Sequence, residues 1–173
     1  MDTALFEFTK LSFENLNRHI RLADNKAKFI LSLDLAIISG ISAIAYDYFS
    51  NEPNIFSNES KIVILFLSIN TLLVLYSLFN TVFIINPRLS KSNNPSAMLY
   101  WDRITDISLT DLEQEYQSAS HDKLNRELVA QIYFYSKVAS DKYLKVRNAI
   151  FSMLSAIITA IVTVITISVI RFF

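Results

Sequence analysis

Three long apolar runs, at about 29–49, 62–85 and 149–173, are set between polar segments rich in charge. Each is long enough to cross the hydrocarbon core of a bilayer, which takes about 20 helical residues. The first and third are entered through charged stretches, Arg21-Leu-Ala-Asp-Asn-Lys-Ala-Lys28 and Asp141-Lys-Tyr-Leu-Lys-Val-Arg147, with no Gly or Pro at either junction. Nothing there breaks a helix, so each span should continue back into its charged segment. Upstream, Leu5, Phe8, Leu16, Ile20, Ala23 and Ala27 keep to the spacing of one buried stripe on an amphipathic helix. Before the third span, Leu124, Leu128, Ile132, Tyr135, Val138 or Ala139, and Val146 do the same. One helix from about Asp122 to Phe173, roughly 50 residues and about 75 Å long, follows. Thr110, with Glu113 three residues on, or Ser108 can cap a shorter helix through Tyr116. The pattern predicts an all-α membrane protein with three transmembrane helices, spans 1 and 3 extending into a helical region outside the bilayer. Its parts are an amphipathic helix over 1–28, a transmembrane hairpin over 29–85, a polar helical region over 86–148 and a third span over 149–173.

Charge gives this arrangement a direction. Residues 1–28 hold five Lys and Arg and residues 86–148 hold nine, whereas the short 50–61 loop contributes only Lys61 and the C-terminus only Arg171. That imbalance predicts the N-terminus and 86–148 inside the cell and the C-terminus outside. The first 28 residues are long and carry Asp2, Glu7, Glu14 and Asp24 among their cations, unlike the short basic start of a signal peptide. One Gly and three Pro fit long helices rather than turn-rich β structure, and a formal net charge of zero gives no field for nucleic acid. With no Cys and only His19 and His121, disulfides, thiolate zinc sites and Cys nucleophiles are excluded.

Within the spans the polar residues are the informative ones. Asp34 lies inside the first apolar run, where a carboxylate costs about 2.5–3.5 kcal/mol on insertion scales, so it should face the bundle. Counting depth from the inner edge matches it with Asn80 in the antiparallel second span and with Ser152 or Ser155 in the third. Asp34 and Asn80 are therefore expected to face one another across a polar seam, either a structural hydrogen bond or the start of an ion path. Thr159, Thr163 and Thr166 say less, since Thr commonly bonds its own helix's carbonyls. Ser32, Ala36 and Gly40, with Ser39 and Ala43 beside them, form ridges of small residues that suit close helix approach in lipid.

No enzyme motif is present: there is no G-x-S-x-G, no P-loop and no H-E-x-x-H. The acidic residues at 111, 113 and 115 alternate along a helix and do not converge on a metal ion. The chemistry sits instead where charged helices meet the membrane. Asp24 and Lys142 lie at similar heights, roughly 8–10 Å above the hydrocarbon, so two helices side by side should bring them to one level. Local pairs are possible on each helix instead, Arg21 with Asp24 and Asp141 with Lys145, and those alternatives remain open here.

The residues of this junction carry a resemblance. Ala23-Asp24-x-Lys26-Ala27 before the first span, Trp101-Asp-Arg-Ile104, Thr110, Glu115-Tyr116, Leu128-x-x-Gln131-Ile132, and Lys142-Tyr143 before the last span resemble the membrane effectors of bacterial Pycsar antiphage systems. The likeness runs from about residue 12 to 160 and departs at Tyr100-Trp101, where related sequences often carry a Phe-Phe-Gly-like stretch. It implies a non-enzymatic protein of the cell inner membrane that senses a cyclic pyrimidine mononucleotide, cyclic UMP or cyclic CMP, made by a partner cyclase. Such an effector impairs membrane integrity and aborts infection, and it should work as a homo-oligomer, with no metal or other cofactor. Arg21, Lys26, Arg103 or Lys142 could meet the phosphate, Asp24 a hydroxyl or base NH, and Trp101, Tyr133, Tyr135 or Tyr143 the ring. The alternative is a small membrane adaptor whose cytoplasmic helices dock another protein.

Overall fold

The computed structural model describes residues 3–51, 57–85 and 108–172. These form four helices: α1 (Thr3–Asn51), α2 (Asn58–Ile85), α3 (Leu109–Ser118) and α4 (His121–Phe172). Three of them are long and apolar enough to span a membrane, and no strand occurs among the described residues. The protein is an all-α membrane protein with three transmembrane helices.

Three helices begin on a serine. The Ser57 hydroxyl accepts from the Ser60 amide at 3.0 Å, Ser108 from Asp111 at 3.2 Å and Ser120 from Lys123 at 3.2 Å. Each satisfies an amide that the first helical turn leaves without an intrahelical partner. Ser108 therefore wins over Thr110 as the cap of α3, with Asp111 closing the box by accepting from the Ser108 hydroxyl at 2.7 Å. No such start is needed at residues 28 or 148, where α1 and α4 run through without interruption.

Contacts divide the chain into two compact units, Met1–Leu22 with Pro87–Asp141 and Ala23–Asn86 with Lys142–Phe173. These divisions fall six or seven residues before the apolar edges at 28 and 148. Ala23, Ala27 and Val146, despite their charged neighbours, are buried in the same core as Ile30, Ile84, Ala149 and Met153. In the first unit α1 and α4 run in the same direction. Phe6 meets His121 and Phe13 meets Tyr135 edge to face, at 6.4 and 5.5 Å between ring centroids. Thr9 and Gln131 are buried there.

The second unit is a three-helix bundle with α2 antiparallel to α1 and α4. One end is the apolar core just described; the other is Tyr48, Val63 and Ile167. Between them the packing is inside-out. Of the eight buried residues of α2, five are polar (Ser60, Asn70, Ser77, Asn80 and Thr81), while Leu72, Leu75, Phe79 and Val82 are exposed. A helix that hides its hydroxyls and amides and presents Leu and Phe outward is built for an apolar solvent, where unsatisfied polar groups are costly. The buried face of α1 follows Ala23, Ala27, Ile30, Asp34 and Tyr48. The ridge of Ser32, Ala36 and Gly40 lies off that stripe and is exposed, and a Cβ built on Gly40 would meet nothing within 4 Å. The close approach expected at this ridge is not made among the described residues.

Candidate functional site

Two polar arrangements stand out in the bundle unit, one at its charged end and one along its middle. At the charged end, the Ala23/Ala27 face of α1 packs on Val146 and Ala149 of α4, with Tyr143 against the same cluster. Alanines allow the two helices close approach, and the polar residues flanking those alanines are carried together. The Lys142 ammonium donates to Asp24 Oδ1 in a direct ion pair between the helices. Its surroundings are uneven: the lysine side chain is 11% exposed and the aspartate 32%. Beside it, Lys26 Nζ lies 5.7 Å from the centroid of the Tyr143 ring, within cation–π range. Next along, Lys145 Nζ sits 5.5 Å from the ring of Phe83 in α2.

Asp24, Lys26, Lys142 and Tyr143 thus form one constellation: two ammonium groups, one carboxylate and one phenol ring at the end of the apolar core. The half-buried ammonium of Lys142 has three donor hydrogens, of which the carboxylate takes one. Such a group can bind an anion without giving up its existing partner. Arg21 is exposed on α1 and belongs to the other compact unit. Trp101 and Arg103 lie outside the described residues.

Along the middle of the bundle the expected meeting of Asp34 and Asn80 is corrected. Asp34 is fully buried, and Oδ2 lies in hydrogen-bond contact with the Ser77 hydroxyl at 2.8 Å. Asn80, one turn away on α2, donates its side-chain amide to the carbonyl of Tyr76 in its own helix at 2.9 Å. The reason is register. Depth was counted from the apolar edges, Phe29 and Ile85, whereas Ile84 packs in the cluster of Ala27 and Ile30. The levels therefore shift by about a turn, and Ser77 rather than Asn80 comes abreast of Asp34. The third-span residue at that level is Ala149, whose carbonyl lies 3.2 Å from Ser77 Oγ.

From there α2 and α4 are laced toward the other end of the bundle. Ser152 Oγ donates to the Leu73 carbonyl at 2.7 Å, and Asn70 Nδ2 donates to the Ala156 carbonyl at 2.7 Å. Steps of four and three along one helix match three and four along the other, as an antiparallel pair requires. Thr159, Thr163 and Thr166 bond carbonyls of their own helix, the ordinary behaviour of such hydroxyls. At the far end Arg171 Nη2 pairs with Asp47 Oδ2 at 2.8 Å, a second α1–α4 ion pair that apolar periodicity did not single out. Its signal was present: they are the charged residues nearest the outer ends of spans 1 and 3. The importance of Ser77 had no comparable signal, because a serine in a span usually turns to its own backbone.

Residues 9–169 match the family described as the Pycsar effector protein domain. A curated relative, the Pycsar effector protein SaPycTM of Staphylococcus aureus, is 26% identical over 142 residues, which cover 82% of this chain and 83% of that protein. No solved structure matches the chain. The matched region includes the charged constellation, the three spans and the polar lacing between them, and the chain belongs to the Pycsar effector protein family.

Proposed function

We propose that this protein is a non-enzymatic inner-membrane effector of antiphage defence that senses a cyclic pyrimidine mononucleotide and, once bound, impairs the membrane. The observation that carries this reading is the Asp24–Lys142 pair beside Lys26 and Tyr143 in a chain of the Pycsar effector family. A cyclic mononucleotide presents one phosphodiester charge, a ribose hydroxyl and a planar base. Lys142 and Lys26 offer charge-assisted donors for the phosphate, Asp24 an acceptor for hydroxyl or base NH, and Tyr143 a stacking face.

The pair lies between α1 and α4, so a phosphate that draws Lys142 toward itself weakens a direct tie between spans 1 and 3. A ligand shifts the bundle only as far as it binds the altered arrangement better than the resting one. A single three-helix bundle leaves little room for a pore, so the altered protomers act together as a homo-oligomer. The exposed ridge of Ser32, Ala36 and Gly40 supplies a surface for close helix contact in lipid. In this reading the N-terminus and residues 86–148 face the cytoplasm, where a partner cyclase delivers the nucleotide.

Calorimetric titration of the detergent-purified chain with cyclic UMP and cyclic CMP tests the sensor. Saturable binding of one of them is expected, weakened at least about tenfold by Lys142→Met, since a hydrogen bond to a charged group contributes about 1.5–3 kcal/mol. Binding of neither nucleotide would remove the sensing function and favour an adaptor that docks another protein.

A further inference from the structure

At the centre of the span bundle one serine hydroxyl faces two acceptors, and it serves both fully only when Asp34 brings a proton of its own. Ser77 Oγ lies 2.8 Å from Asp34 Oδ2 and 3.2 Å from the carbonyl oxygen of Ala149. A hydroxyl has one hydrogen to donate, a backbone carbonyl only accepts, and an ionised carboxylate only accepts. With Asp34 ionised, one hydrogen must serve two acceptors. With Asp34 neutral, Oδ2–H donates to Ser77 Oγ and Ser77 Oγ–H donates to Ala149, and every contact has its hydrogen.

The rest of the carboxyl points the same way. Asp34 is fully buried, and Oδ1 has no hydrogen-bond partner among the described residues. A carboxylate removed from water costs several kcal/mol unless paired and well hydrogen-bonded, and a single serine hydroxyl does not meet that need. No cation faces it. Within two turns of Ser77, the titratable side chain of α2 is Tyr76, which is 53% exposed. On α4 near Ala149, Lys142 is held by Asp24, Lys145 lies by Phe83 and Arg147 is exposed, as Tyr143 lies by Lys26. On α1 the nearest charged side chain within two turns, Lys28, is exposed.

We infer that Asp34 is a proton-binding site: a neutral carboxylic acid that ties α1 through Ser77 of α2 to the Ala149 carbonyl of α4. The site is one proton per chain at the point where all three spans meet. It also couples packing to ionisation. Once α1 moves off and water reaches the carboxyl, the acid ionises as an ordinary solvated aspartate does. The resulting carboxylate has no place in the dry slot, so separation of α1 and release of one proton are a single event. The sign follows: the separated state holds one proton fewer, so rising pH favours it, by up to about tenfold per pH unit.

Infrared spectroscopy of the full chain in vesicles of ether-linked phospholipids, which carry no ester carbonyl, tests the assignment at neutral pH. The C=O stretch of a protonated carboxyl is expected in the wild type, shifted slightly down in D2O, and absent from Asp34→Asn. Ser77→Ala should move that band to higher frequency, because the acid loses its acceptor. Where Asp34→Asn does not fold, Ser77→Ala keeps the test decisive, because only a band from Asp34 moves with that substitution. A wild type without the band, a band that survives Asp34→Asn, or a carboxylate signal that responds to sodium would each overturn the site, the last in favour of a metal cation. The result stands apart from nucleotide binding: failure of the calorimetric titration leaves the band in place.

Discussion

At the level of single residues, the Asp24–Lys142 pair is unequal, and the inequality decides what each substitution does. The lysine is much the more enclosed of the two, at 11% against 32% exposure. Removing Asp24 strands a half-buried ammonium, whereas removing the lysine charge leaves an aspartate that already reaches water. Asp24→Ala should therefore cost about 1–3 kcal/mol, the range for leaving a buried polar group without its partner. Lys142→Met, which keeps the aliphatic stem in place, should cost under about 1 kcal/mol. Denaturant midpoints of the purified variants in one detergent check the order; equal losses would mean that the ion pair is solvated and contributes mainly register. Asn70 and Ser152 present a different balance. Each makes a neutral bond to a backbone carbonyl of the facing span, and such bonds in lipid average about 0.6 kcal/mol with a maximum near 1.7. Asn70→Ala and Ser152→Ala should each lower stability by about that much in a steric-trap unfolding measurement.

At the level of elements, most of the helical architecture is legible in the apolar pattern, and the parts that are not have physical causes. The spans, their antiparallel hairpin and the uninterrupted passage of α1 and α4 through their charged stretches follow from apolar run length and the absence of breakers. Asp24 and Lys142 meet at the height the sequence predicts because an offset in the apolar edge cancels between two parallel helices. Between antiparallel helices the same offset adds, and Asp34 meets Ser77, one turn from the expected Asn80. Serine gave no warning of this, since its own helix usually satisfies it. The small-residue ridge is legible as a surface but not as a partner: among the described residues nothing covers Gly40. That openness separates two effects of substitution. Gly40→Ala meets no neighbour and gains helix propensity, up to about 1 kcal/mol, so the bundle should be at least as stable as the wild type. Gly40→Leu should likewise leave the bundle folded, but it blocks close approach of a second helix. Under the proposed self-association, cross-linking in membranes should show oligomers for wild type and Gly40→Ala and mostly monomers for Gly40→Leu. Unchanged oligomers in Gly40→Leu would move the contact to another face.

At the level of the whole molecule, the direction of insertion determines whether the charged constellation can ever meet a nucleotide made inside the cell. Fourteen of the 16 Lys and Arg lie in 1–28 and 86–148, and the constellation of Asp24, Lys26, Lys142 and Tyr143 sits at that charged end of the bundle. The opposite end carries the Asp47–Arg171 pair and the start of α2. Positive charge near span ends is retained in the cytoplasm, so the constellation should face inward and the start of α2 outward. The absence of cysteine makes this directly measurable, because any introduced thiol is the sole thiol of the chain. Asn58→Cys, at an exposed position at the start of α2, and Ser108→Cys, at an exposed position before α3, place it at opposite ends of the inference. In cells whose inner membrane is reached by a membrane-impermeant maleimide, Asn58→Cys should be labelled and Ser108→Cys should react only after permeabilisation. The reverse pattern would put Asp24 and Lys142 outside, beyond the reach of a cytoplasmic cyclase, and would end the sensing proposal while leaving the Asp34–Ser77–Ala149 chain, which lies between the two ends, unaffected.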